Sequence, residues 1–272
     1  PRARIGVIGI GVVGGAVYTY FRSKTSHVVY GYDIFKPQYS NRKNIDHMKT
    51  ADYIFFCLPT LYNEDKQGYD YSAIETNLAW AHKVQYKGII LIKSTIEPTM
   101  TQTWNDTYPE LRIVHNPEFL SCRSSKDDFN NQNHIVLGYT TQSRDTIDEV
   151  KQLYTRSFPD ADYSIASSTE TEMMKIWCNS FYAIKIQVFN ELYSHAQTLG
   201  CDYDTIRKMM IGNQWIHPQH TQVPGTDGKL SYGGMCFPKD TNALLHHLKR
   251  HNVPHGILEQ TIQERNALRE DS

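Results

Sequence analysis

The stretch Arg4-Ile5-Gly6-Val7-Ile8-Gly9-Ile10-Gly11-Val12-Val13-Gly14 decides the fold. Residues 4–8 read as a short apolar strand, and an amphipathic helix runs from the glycines through Tyr20. Gly9 permits a tight turn, Gly11 lets backbone approach a pyrophosphate, and Gly14 lets the helix pack close to the strand. The helix N-terminus then faces the phosphates. A second strand, residues 28–32, ends on Asp33. A carboxylate there accepts from both hydroxyls of an adenosine ribose and repels a 2′-phosphate, which favours NAD over NADP. A GxGxxG run set between a strand and a helix, with an acid closing the next strand, specifies a dinucleotide-binding unit.

Working outward, apolar strands are predicted at 53–58, 89–92, 112–114 and 135–138, separated by helices at about 71–84, 99–107 and 143–157. Such alternation implies a Rossmann-like, doubly wound, mostly parallel sheet, with ligands beyond the C-terminal strand ends. Three polar clusters fall at such ends: Pro59-Thr60, Ser94-Thr95 and Asn116-Pro117-Glu118. Thr60 and Thr95 either cap the next helix or face the crevice; Glu118, just after a proline, is expected to point into it.

The remainder is expected to be all-helical, giving an α/β chain with an NAD-binding domain over residues 1–167 and a helical dimerisation domain over 168–272. From about Ser168, Met173, Trp177, Phe181, Ile184, Val188 and Leu192 form an apolar stripe, while Ile176, Cys178, Ile186 and Phe189 make other faces apolar. A helix greasy on several sides is expected to be buried in a core or against a second subunit. Lys175 and Asn179, four apart, share one face of it. A second helix spans about 203–211, a long loop follows over 212–234, and helices at about 240–251 and 254–270 close the chain.

Among 272 residues, 40% hydrophobic and 21% charged, the net charge of −1 marks no nucleic acid or membrane partner. No apolar run is long enough to span a bilayer. Five cysteines without CxxC pairing fit thiols in a reducing cytoplasm. His247, His251 and His255 recur every four residues, but Pro254 interrupts the helix and no metal site is expected. Cys236 stands apart from the other thiols. It follows Gly233-Gly234, precedes a helix whose first turn holds Pro238 and Asp240, and neighbours Lys239. The positive end of that helix and the lysine both favour a thiolate. An NAD fold with an activated cysteine suggests aldehyde-level oxidation through a thioester.

Gly9–Gly14, Asp33, Pro59-Thr60, Lys93-Ser94-Thr95, Asn116-Pro117-Glu118-Phe119-Leu120, the segment from Glu172 to Glu191 with Lys175, Asn179, Lys185 and Asn190, and above all Gly-Gly-Met-Cys-Phe-Pro-Lys-Asp-Thr at 233–241 together resemble the UDP-glucose/GDP-mannose dehydrogenase family. The resemblance implies NAD-dependent, four-electron oxidation of a nucleotide-sugar primary alcohol to the uronic acid, UDP-glucose to UDP-glucuronate being favoured. Cys236 would carry a thiohemiacetal and then a thioester, and Glu118 would assist the hydrolytic water. Lys175 and Asn179 would stabilise the oxyanion, while Asp240 and Thr95 would hold water and move protons. The resemblance also assigns the cofactor to Gly9, Ile10, Gly11, Val12, Val13, Gly14, Asp33, Lys36, Pro59, Thr60, Thr95 and Lys239. It assigns the nucleotide-sugar to Phe119, Leu120, Ser121, Cys122, Gly233 and Gly234 with Lys175 and Asn179, and a homodimer to the helix starting near Ser168.

The chain departs from the family at Cys122, where a glutamate is usual, and in a shortened connection between Asp33 and Tyr53. It also reaches only two of the family's three domains, without the C-terminal nucleotide-binding one. Two alternatives therefore stand beside the four-electron oxidation: a two-electron hydroxyacid dehydrogenase using a helix lysine like Lys175, and a relative that binds NAD without turnover.

Overall fold

Residues 2–271 are described by the computed structural model. In chain order the elements are β1 (Arg4–Ile8), α1 (Val12–Lys24), β2 (Val28–Tyr32), α2 (Arg42–Met48), β3 (Tyr53–Phe56), β4 (Tyr62–Asn63), β5 (Gly68–Tyr69), α3 (Ser72–Lys83), β6 (Ile89–Ile92) and α4 (Met100–Thr107). They continue with β7 (Arg112–His115), α5 (Ser125–Asn130), β8 (His134–Tyr139), α6 (Ile147–Ser157), β9 (Asp162–Ser167), α7 (Ser168–Thr198), α8 (Tyr203–Gly212), α9 (Phe237–Arg250) and α10 (Gly256–Leu268). Seven strands form one sheet in the order β2-β1-β3-β6-β7-β8-β9, parallel throughout except between β7 and β8.

The apolar runs explain the layering. In a parallel sheet both faces are covered, so a central strand is hydrophobic at every residue. Phe55 of β3 and Leu91 of β6 face one core with Val17, Phe21 and Tyr154. Their neighbours Ile54, Phe56, Ile90 and Ile92 face the other, with Ile74, Leu78 and Trp104. The chain leaves β1 in one direction to β2 and in the other to β3, so a crevice opens where the winding reverses. Gly9 occupies that point with φ +89, hydrogen-bonded through its N–H to the Tyr32 carbonyl at 2.9 Å.

The chain divides into two compact units. One holds the residues up to Leu61 with Asp70–Lys175; the other holds Tyr62–Tyr69 and the residues from Ile176 on. The boundary thus falls after Lys175, not at 167/168, and residues 62–69 group with the helical part. There β4 and β5 pair as an antiparallel hairpin. The Tyr62 ring stacks on His246 of α9, with centroids 6.0 Å apart, and Arg250 Nη1 donates to the Gln67 carbonyl at 2.7 Å. The second unit is therefore helical with one inserted hairpin, and its small core includes Phe189, Ala196, Tyr203 and Val223. The shortened connection after Asp33 still carries α2, anchored by the fully buried Met48. β9 escaped prediction because Asp162, Ser164 and Ser167 break its apolar pattern at the sheet edge.

Glu172, fully buried in the first unit, accepts from the Thr101 N–H at 3.0 Å and the Thr101 hydroxyl at 3.3 Å on Oε2. Its Oε1 meets no hydrogen-bond partner. Burial pushes its carboxyl up to about 8, against the opposing hydrogen bonds. A raised folded-state value means stability that is full below the ordinary carboxylate range and lost as pH rises toward 8. Glu172→Gln should therefore gain stability over the unmodified chain by roughly 4 kcal/mol between pH 5 and pH 9, as read by urea denaturation at both pH values.

Candidate functional site

In the first unit the glycine turn is built for an anion. A Cβ on Gly14 would run into the Gly9 carbonyl oxygen, whereas one on Gly11 would meet nothing within 4 Å. Gly9 and Gly14 are fixed by packing, whereas the Cβ side of Gly11 is open. No side chain caps α1, and its first turn holds no acidic residue, so its leading N–H groups face outward with their positive dipole end unmatched. Asp33 braces this turn, accepting from Ile10 N–H at 2.8 Å on one oxygen and from Phe35 N–H at 2.9 Å on the other. Lys36 Nζ donates to the Ile10 carbonyl. Each Asp33 oxygen keeps acceptor capacity for a ribose hydroxyl.

Neither threonine is a helix cap. The residues in cap position are Tyr71 for α3 and Thr99 for α4. Thr60, buried after β3, instead donates to the Thr95 carbonyl at 2.8 Å, and Ser94 donates to the Leu58 carbonyl at 2.5 Å. The two strand ends are thereby stitched together. At the end of β7, Asn116 is locked by three bonds. Its amide donates to the Val136 carbonyl at 3.0 Å, while its Oδ1 accepts from Lys93 Nζ at 3.1 Å and from the Tyr154 hydroxyl. Pro117 then turns the chain, and Glu118 Oε2 accepts from the Leu120 N–H at 2.6 Å.

Lys93 and Glu118 both line a cavity of about 470 Å³ with Phe119, Leu120, Gln132 and His134. Burial lowers the Lys93 ammonium to about 8. That lysine was matched to the family but given no role; a charge-bearing residue between the strand Ile89–Ile92 and Ser94 was the available signal. Lys175, also buried, lies with Nζ 5.0 Å from the centre of the Phe119 ring, which stacks on His134. Cys122 is exposed beyond this turn, and the Ser121 N–H is taken by Asp128 at 2.8 Å. Burial pushes the Cys57 thiol up to about 12, which makes it inert.

In the second unit the centre is Asp240, with no solvent exposure. Asn179 of α7 donates to Oδ2 at 2.7 Å; Lys239 Nζ reaches Oδ1 at 2.6 Å, and the Tyr69 hydroxyl donates to the same oxygen. Lys239 also sits 5.0 Å over the Tyr69 ring. Three of the predicted residues, Asn179, Lys239 and Asp240, thus meet, with Lys239 facing Asp240. Tyr69 was not foreseen, since nothing in a short hairpin announces a partner 171 residues away. Cys236 occupies the N-cap of α9, with Pro238 in the first turn, so its sulfur belongs to the positive end of a fourteen-residue helix. Behind it Phe237 meets the rings of His220, Tyr182 and Tyr232. Lys185 holds the preceding loop through the carbonyls of His217 and Gln219, at 2.6 and 2.8 Å. Gly234 takes φ +84, and Met235 projects into solvent.

Among the described residues no helix is long and apolar enough to cross a membrane, and no three His, Cys, Asp or Glu side chains are grouped to hold a metal ion.

Residues 36–158 match the NAD binding domain of the UDP-glucose/GDP-mannose dehydrogenase family, and residues 169–267 match that family's central domain. The UDP-glucose 6-dehydrogenase of Campylobacter jejuni is 28% identical over 221 residues, covering 80% of this chain and 53% of that protein. The Streptococcus pneumoniae UDP-glucose 6-dehydrogenase is 26% identical over 242 residues, covering 82% and 56%. The chain thus spans about half the length of these curated relatives. A UDP-glucose dehydrogenase from Pyrobaculum islandicum superposes with a TM-score of 0.86 at 21% identity, over 98% of this chain and 68% of that one. A 3-hydroxyisobutyrate dehydrogenase from Mycobacterium tuberculosis does so with 0.79 at 14% identity, over 100% and 95%. These superpositions establish a shared fold.

The glycine geometry separates folding from binding. Gly11→Ala should leave the melting temperature within a few degrees but weaken NAD at least about tenfold, whereas Gly14→Ala should lower the melting temperature itself; thermal melts and fluorescence titration with NADH check both.

Proposed function

Because the chain belongs to the UDP-glucose/GDP-mannose dehydrogenase family, we propose that it oxidises the primary alcohol of a nucleotide-sugar, UDP-glucose first, to the carboxylate in two NAD-dependent steps. The observation that carries the proposal is Cys236 at the N-cap of α9, one turn from the buried Asp240. NAD, when bound, supplies the hydride acceptor, and the open Gly11 face and uncapped α1 suit its pyrophosphate.

The chain's residues then divide the work. In the proposed sequence the alcohol carbon gives up one hydride to the cofactor and its hydroxyl gives up one proton, through a water positioned by Asp240, leaving an aldehyde. The Cys236 thiolate is proposed to add to that carbon, with the Lys175 ammonium and the Asn179 amide as the proposed donors to the oxygen that becomes anionic. Loss of a second hydride leaves a thioester on Cys236; a water then attacks it while Glu118 takes one of its protons, releasing the acid and restoring the thiolate. Asp240, which holds the Asn179 amide and the Lys239 ammonium at 2.7 and 2.6 Å, is proposed to position a water and help move protons. Thr95 is proposed to hold water beside the cofactor. The turn at Phe119–Leu120 and the glycines Gly233 and Gly234 are proposed to contact the nucleotide-sugar. A thiolate nucleophile requires a reducing compartment, which favours the cytoplasm.

The long helix α7 supports a homodimer. Met173, Trp177, Phe181 and Val188 lie along one line of it, and Phe181 is 60% exposed. The opposite face, with Ile176, Ala183 and Phe189, is buried. An unbroken apolar stripe of this length is characteristic of a surface that a second copy covers.

Two measurements test the proposal. UDP-glucose should yield two NADH per sugar, and Cys236→Ala should cut the rate by a factor on the order of 10³. A single equivalent that is indifferent to Cys236→Ala would support the two-electron hydroxyacid dehydrogenase instead, and none at all the non-catalytic relative. Phe181→Glu should convert the dimer to monomers in light scattering; an unchanged mass would remove α7 from the interface.

A further inference from the structure

The short segment that delivers Cys236 is held by polar groups from two helices. The Leu230 carbonyl accepts from Arg269 Nη1 at 3.2 Å, and the Tyr232 carbonyl accepts from Arg265 Nε at 3.0 Å. Between them, the Ser231 N–H donates to Asn190 Oδ1 at 2.8 Å and its hydroxyl to Gln187 Oε1 at 2.6 Å. Asn190 and Gln187 belong to α7; Arg265 lies in α10, and Arg269 is the residue that ends it.

The arginines are unusual in being buried. Their side chains are 5% and 4% exposed, and a guanidinium so enclosed persists only when its charge and its donors are met. Asp271 meets both, with Oδ1 accepting from Arg265 Nη2 and Arg269 Nε, each at 2.8 Å, and Oδ2 accepting from Arg269 Nη2 at 2.7 Å. Asp227, within the same loop, takes a further bond from Arg269 Nη2 at 2.7 Å. Immediately after the held segment comes Gly233, where a Cβ would collide with the Arg269 guanidinium. Glycine is therefore required if the guanidinium is to lie against the backbone. The sulfur-bearing residue follows three positions on.

We propose that Arg269, braced by Arg265 and Asp271, is a positioning residue for Cys236, clamping the loop 230–233 so that the thiol stands at the N-terminus of α9. If Cys236 is the nucleophile described above, α10 thereby contributes to the reaction without touching the substrate. The guanidinium that meets the Leu230 carbonyl and Asp227 lies about forty residues further along the chain than the loop it holds.

Alkylation by iodoacetamide, followed by mass spectrometry on the full chain, reads the clamp directly. Cys201, exposed and remote in sequence, serves as the reference thiol. Arg269→Lys should slow Cys236 relative to Cys201 by about tenfold at neutral pH and move the pH midpoint of its alkylation upward. Gly233→Ala, which displaces the same guanidinium, should reproduce that change, and the two substitutions together should do no more than either alone. Should Arg269→Lys fail to fold, Gly233→Ala and Asp227→Asn carry the same comparison. A folded variant whose Cys236 rate and pH profile are unchanged overturns the proposal, as do strictly additive effects of positions 233 and 269. Because alkylation needs no substrate, a chain that shows this pattern but does not oxidise nucleotide-sugars would overturn the proposed reaction and leave the clamp standing.

Discussion

A carboxylate cut off from water must be met by donors, and in the second unit that requirement organises everything near the cysteine. Asp240 has no exposure, and leaving such a group unpaired would cost several kcal/mol. Its donors come from the β4–β5 hairpin through Tyr69, from α7 through Asn179 and from its own helix through Lys239. The three segments have different reasons to fold as they do, yet each has to present its donor to one point. The first turn of α9 is thereby tied to both, and with it the N-cap where Cys236 sits. Burial turns a charge into a locating pin.

That dependence also explains what could be read beforehand. β1, β3 and β6 were legible because a strand covered on both faces must be apolar at every position. The glycine turn was legible because Gly9 and Gly14 answer to local sterics that admit few other residues. The N-cap place of Cys236 followed from Pro238 and Asp240, again within one turn of chain. Tyr69 and the arginine clamp were not legible. Their significance is a contact across 171, 33 and 39 positions, and no periodicity encodes a pairing at such range. The threonines Thr60 and Thr95 sat between these cases: cap residues by type, neither caps a helix because α3 and α4 begin only at Ser72 and Met100, and the Thr60 hydroxyl instead donates to the Thr95 carbonyl across the strands.

The long helix shows where composition stops being sufficient. Residues of α7 are apolar on several faces, which demands cover but does not say from where. Ile176, Ala183 and Phe189 are covered within the chain, while the stripe through Trp177, Phe181 and Val188 is not. The same helix carries Asn179 toward Asp240, and Gln187 and Asn190 toward Ser231. A polar face committed to the cysteine loop and an apolar face committed to solvent cannot be exchanged by rotation. Whatever covers the stripe therefore bears on a helix that already fixes the site.

Around Glu118 the constraint is one of supply. The family's usual second carboxylate is replaced by Cys122, which points to solvent. Glu118 itself spends Oε2 on the Leu120 N–H, so Oε1 is the oxygen with its full acceptor capacity left. Lys93 lines the same cavity, and the Glu118 charge is among the influences that keep its ammonium from falling further than about 8. The Lys93 ammonium is set from behind by Asn116, itself locked by the Tyr154 hydroxyl and the Val136 carbonyl.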